Sequence, residues 1–97
     1  MESNLRGTLE IQCDYFLTEE SLQARVGYLN QLKQTGLFNS FEDALVGALI
    51  ESLTASCATM KILRGSKLTG DDMRAIREIC MNRAADIKSK ISMASNL

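Results

Sequence analysis

The chain reads as a mostly α-helical single domain over residues 1–97, a short N-terminal strand followed by three helices. Two patterns predict this. Apolar residues recur at helical spacing over most of residues 19–95, and they alternate with polar ones only over residues 9–17. Composition agrees: 45% of the residues are hydrophobic, Trp and Pro are absent, and aromatics are few, so the core material is aliphatic and no proline interrupts a helix.

The strand is expected over Leu9–Leu17. Leu9, Ile11, Cys13, Tyr15 and Leu17 are apolar, and Glu10, Gln12 and Asp14 between them are polar, the period of a half-buried strand. Phe16 breaks the polar side, so a helical turn leading into the next element stays open as an alternative. Thr18 then caps a helix over Glu19–Thr35, with Glu19 and Glu20 in the first turn at the positive end of its dipole. Leu22, Val26, Leu29 and Leu32 form its apolar stripe, and Gly36 follows as a left-handed C-cap.

Ser40 with Asp43 opens the next helix, which runs to about Leu63. Its apolar positions, from Ala44 and Leu45 through Ala48, Leu49 and Leu53 to Met60, cover nearly half its circumference, so it needs more than one packing partner. Arg64, Gly65 and Ser66 break the chain. Thr69 with Asp72 caps a final helix from Gly70 to about Ser95, the main part of a C-terminal segment over 66–95, with fraying expected from Met93 to Leu97. Met73, Ile76, Cys80, Ala84, Ile87 and Ile91 make a narrow seam on it, edged by Arg74, Arg77, Arg83, Lys88 and Lys90.

Charge is segregated along the chain. Residues 1–60 carry three basic against eight acidic residues, and residues 61–97 carry eight basic against four acidic, so a net of −1 conceals halves of −5 and +4. Three cysteines without CxxC spacing suggest neither a disulfide framework nor a zinc site. No His, Gly-rich phosphate loop or nucleophile motif is present, and first-turn capping accounts for the paired acids, so no catalytic residue, metal or cofactor is expected. The apolar runs fall short of the ~20 residues that span a bilayer, and Met1–Gly7 lacks a signal-peptide layout, so a cytoplasmic protein without a membrane partner is expected.

Strand, helix, Gly-containing turn and broadly apolar helix occur in the order of the ribbon-helix-helix family. Leu17-Thr18-Glu19-Glu20 resembles that family's exit from strand to first helix, with Thr18 in place of its usual proline. Gly36-Leu37-Phe38-Asn39-Ser40-Phe41-Glu42-Asp43-Ala44-Leu45, followed by Ala48-Leu49, is similar to the turn and second helix of its antitoxin branch. The resemblance covers residues 8–53. It implies a homodimer in which two strands pair and two second helices pack, with Ile11, Cys13, Tyr15, Leu45, Ala48, Leu49 and Leu53 at the interface. It also implies double-stranded DNA as a partner, with Gln12 and Asp14 at base edges and Asn39 and Ser40 at the phosphate. Glu10 and Asp14 on the same strand face would repel a polyanion.

Two functions follow from these observations. The first is a dimeric DNA-binding regulator whose basic C-terminal part, Lys61, Arg64, Lys67, Arg74 and Arg77, supplies phosphate contacts. The second is a helical homo-oligomeric interaction protein that does not bind DNA, its basic C-terminal part docking on its own acidic half or on another protein, with Phe16 and Phe38 as contact residues. A basic C-terminal part is opposite in sign to the acidic arm usual in antitoxins.

Overall fold

The computed structural model describes residues 1–95 as five helices: α1 (Ser3–Phe16), α2 (Glu19–Gln34), α3 (Phe41–Leu63), α4 (Gly70–Asn82) and α5 (Ala84–Ser95). There is no strand among the described residues, so the expected N-terminal strand, and the ribbon-helix-helix core built on it, are replaced by an all-helical fold.

The reason lies in α1. Its buried side chains are Leu5, Leu9, Cys13 and Phe16, at helical spacings of four, four and three. The alternation over residues 9–17 is a subset of that pattern. Leu9 and Cys13 are fully buried, whereas Ile11 and Tyr15, their neighbours in the alternation, are 70% and 74% exposed. Leu5 lies outside the alternating window, and Phe16, the residue that broke the strand pattern, is buried as a helix requires.

The capping signals operate as expected. Thr18 Oγ1 accepts from the Ser21 N–H, Ser40 Oγ accepts from the Asp43 N–H, and Thr69 with Asp72 forms a reciprocal capping box. Gly36 and Gly65 follow α2 and α3 with φ of 81° and 73°, the left-handed geometry that lets a chain turn out of a helix.

Helix α3 is the axis of the fold and packs against the other four helices. Leu45, Leu49, Leu53 and Cys57 run along its buried side and meet Leu5 and Leu9 of α1, Leu22 of α2, Ile76 and Ile79 of α4, and Ile87 and Ile91 of α5 in one cluster. By length and composition α3 is the one helix among the described residues that matches a membrane span, with a mean hydropathy of 1.3. In this fold its Leu45, Leu49 and Leu53 line the core.

The single final helix expected over Gly70 to Ser95 is instead two, separated at Arg83 (φ −110°, ψ 12°). No Gly or Pro marks the break. Arg83 is held there from outside, by a bond from its guanidinium to the Glu10 carbonyl and an ion pair with Asp14, both on α1. The apolar seam continues through the break with Ile76, Ile87 and Ile91 buried, but it is turned toward Ile79, which is fully buried, and away from Met73, which is exposed. Of the segment expected to fray, Ala94 is buried within α5, and Asn96 and Leu97 lie outside the described residues.

Helix and strand make opposite demands on neighbouring side chains of α1. Leu9→Ala should cost about 3 kcal/mol in urea unfolding, and Ile11→Ala less than about 0.5 kcal/mol. Equal losses at both positions would return α1 to a strand.

Candidate functional site

Two surfaces bear on function: the basic side chains of the C-terminal part, and an apolar face shared by α1 and α2.

Four of the eight basic residues of the C-terminal part pair with the chain's own acids. Lys61 Nζ lies 3.2 Å from the carboxylate of Asp72, a side chain that is 1% exposed and also accepts from the Thr69 N–H at 2.9 Å. Arg64 pairs with Glu2 at 2.8 Å, and Arg74 with Asp71 at 3.5 Å. Arg83, a member of the basic edge of the seam, reaches Asp14 and, within its own segment, Asp86. Lys67 and Arg77 are exposed and carry no ion pair among the described residues.

Burial acts against the guanidinium charge of Arg83, but the Asp14 hydrogen bond and the surrounding charges outweigh it and hold its pKa above the ordinary arginine value. Burial likewise pushes up the carboxyl of Asp72. It is overcome by the Thr69 N–H and hydroxyl and the Lys61 ammonium, which hold the group below the usual range.

Three of the four residues expected to read DNA, Gln12, Asp14 and Ser40, are engaged within the fold. Gln12 Nε2 donates to the Ser52 carbonyl at 3.2 Å, tying α1 to α3, and Asp14 holds Arg83. Ser40 caps α3, Asn39 is exposed beside it, and Glu42 and Asp43 in the first turn place two negative charges at the helix end where a phosphate would sit.

The residues expected at a dimer interface divide. Cys13, Leu45, Leu49 and Leu53 are fully buried within one chain and Ala48 is half-buried, while Ile11 and Tyr15 face solvent. Phe16 is buried beneath the Arg25 guanidinium, 4.2 Å from its ring centre, and Phe38 packs edge-on against Phe41 with centroids 5.9 Å apart.

The apolar face was only partly visible in the sequence. Tyr15 of α1 and Tyr28 of α2, the latter 64% exposed, line one shallow groove with Glu20, Ser21, Ala24 and Arg25. Ile11 is one turn before Tyr15 on α1. Tyr28 and Ala24 were missed, although the signal was present: Tyr28 falls off the stripe of Leu22, Val26, Leu29 and Leu32, and an aromatic on the polar side of a helix has no core to enter.

The three cysteines are free, and burial raises the thiol pKa of each. The Arg83 charge draws Cys13 and Cys80 back down without overcoming it, so none is primed as a nucleophile near neutral pH. Among the described residues no three His, Cys, Asp or Glu side chains gather as a metal site. Comparison of the chain with protein-family models, curated proteins and solved structures gave no match.

The lowered Asp72 pKa has a consequence for stability. A carboxyl depressed in the folded state contributes fully above its unfolded pKa, about 3.9, and the contribution is lost as pH falls through the folded value. Asp72→Asn should be less stable than the parent by about 3 kcal/mol at pH 7, and this difference should shrink below about pH 4 in urea unfolding across pH. A difference independent of pH would show that the charge of Asp72 is not what clamps α4 to Lys61.

Proposed function

We propose that this chain is a cytoplasmic helical interaction protein that assembles with further copies of itself and does not act on DNA. The observation that carries the reading is the pairing of three of its cations with the chain's own acids. Arg64 and Arg83 of the basic part meet Glu2 and Asp14 of the acidic part, and Lys61 is committed to a buried carboxylate. The surface also carries apolar side chains with no core to enter: Ile11, Tyr15 and Tyr28 stand more than 60% exposed on adjoining helices. Surface apolar residues scattered singly need no explanation, but two tyrosines lining one groove form a patch of the kind used in protein contacts.

DNA binding would have to rest on Lys67, Arg77, Lys88 and Lys90, since Gln12 and Asp14 are engaged elsewhere and Asn39 and Ser40 adjoin acids. Affinity for a duplex grows with the number of phosphates neutralised, and neither of the residues expected at base edges is free to accompany these four cations.

Fluorescence anisotropy with mixed-sequence duplex DNA at about 50 and about 200 mM salt, with molar mass by light scattering on the same sample, tests the reading. The expected result is no submillimolar DNA binding and a mass above the 10.7 kDa of one chain. Submillimolar binding that collapses between the two salt concentrations would reinstate the DNA-binding regulator.

A further inference from the structure

We infer that the end of α3 and the turn that follows it form a contact for an anionic bilayer surface, in which Ile62 and Leu63 enter the headgroup layer and Arg64 and Lys67 meet its phosphates. The inference goes beyond self-assembly and does not depend on it.

Helix α3 ends by presenting apolar side chains that it does not bury. Its fully buried ridge stops at Cys57, and the helix continues to Leu63. Ile62 is 68% exposed and Leu63 81%, the latter the most exposed of the large apolar residues described. No other two of those exposed apolar residues are adjacent in sequence. Every residue from Ile62 to Lys67 is exposed, so the pair stands on a projecting turn. That turn is ordered. The Gly65 N–H donates to the Ile62 carbonyl at 3.0 Å and the Ser66 N–H to the Lys61 carbonyl at 2.8 Å, with Gly65 in the left-handed region.

Charge selects the occupant. Residues 61–70 contain three basic side chains, Lys61, Arg64 and Lys67, and no acid. Lys61 is committed to Asp72. Arg64 shares with Glu2 a pair in which the two side chains are 53% and 71% exposed, and Lys67 has no ion pair among the described residues. A pair that exposed contributes little, and a guanidinium can exchange a carboxylate for a phosphate. Leu37 supplies the contrast. It is 73% exposed in the turn between α2 and α3, but the charges that follow it are Glu42 and Asp43, and Lys33 is held on the Phe41 ring.

Shape favours a bilayer over an acidic protein. A projecting turn covers little area, whereas a stable protein contact buries roughly 1,200 Å² or more. A bilayer closes around whatever enters it. Aliphatic side chains with cations beside them are the components of an interfacial anchor, and an anionic leaflet attracts each cation near it. Such a contact needs no spanning segment. The same turn does not suit a duplex, because an apolar pair has nothing to meet on a phosphate backbone. Two aliphatic side chains and few cations make the contact weak and reversible.

The chain contains no Trp, so a single introduced one reports on its own surroundings. Full-length Leu63→Trp and Leu37→Trp are titrated with vesicles of phosphatidylcholine alone and of phosphatidylcholine mixed equally with phosphatidylserine. Emission of Leu63→Trp should move to shorter wavelength with the mixed vesicles, less so as salt is raised, and that of Leu37→Trp should stay in place. In cosedimentation with the mixed vesicles, Leu63→Glu should weaken binding about tenfold or more, and Lys67→Glu about fivefold or more. Both substitutions lie at exposed positions, so circular dichroism should remain helical. Equal binding to neutral and mixed vesicles, or binding indifferent to Leu63→Glu, would overturn the inference. A shift of Leu63→Trp emission with protein concentration in the absence of lipid would overturn it too, by making the turn a protein contact. Molar mass measured without lipid reads self-assembly separately, so the two readings fail independently.

Discussion

The buried side of α3 is the constraint from which the rest of the fold follows. Leu45, Leu49, Leu53 and Cys57 repeat every fourth residue along a single ridge, and each is fully buried. A ridge of that length cannot be covered by one short helix. Helix α1 with α2 and α4 with α5 therefore pack around it, and the core they enclose is aliphatic apart from Phe16 and the cysteines. Because one chain covers this ridge by itself, no second copy is needed to complete the core, and any association must use surface that remains outside it.

Electrostatics then sets how the outer helices sit on α3. The chain carries its acids early and its bases late, and the fold brings the two sets together: Glu2 to Arg64, Asp14 to Arg83, and Arg6 of the acidic part to Glu78 of the basic part. Pairs as exposed as Arg6–Glu78 contribute little individually. Arg83 differs because its side chain is only 21% exposed and it also bonds to the Glu10 carbonyl, so it fixes the angle at which the chain turns from α4 into α5. Asp72 and Lys61 perform a comparable task at the other end of α4, where a buried carboxylate is satisfied by a cap and a cation together.

What could be read from the sequence was local. Thr18, Ser40 and Thr69 announced the starts of α2, α3 and α4, and Gly36 and Gly65 the turns after α2 and α3, because caps and left-handed turns depend on a few adjacent residues. The first element was misread for a related reason: positions 9 and 13 satisfy both a period of two and a helical period, and only Leu5 and Phe16 separate them. The break at Arg83 carries no Gly or Pro to announce it, and the partners of its side chain lie on α1 some 70 residues earlier in the chain. Of the expected site residues, Ile11 and Tyr15 remain available at the surface, while Gln12, Asp14, Lys61 and Arg64 are occupied by partners that only tertiary structure brings near.

The bonds that α1 makes to distant segments have a bearing on the order in which the chain matures. Its Gln12 is satisfied by Ser52, and its Asp14 and the Glu10 carbonyl by Arg83, groups that leave the ribosome long after α1 itself. Until α3 and α4 have emerged, Leu5, Leu9 and Cys13 have no core to enter. Helix α1 precedes the other four helices in the chain and is thus locked only once they are in place.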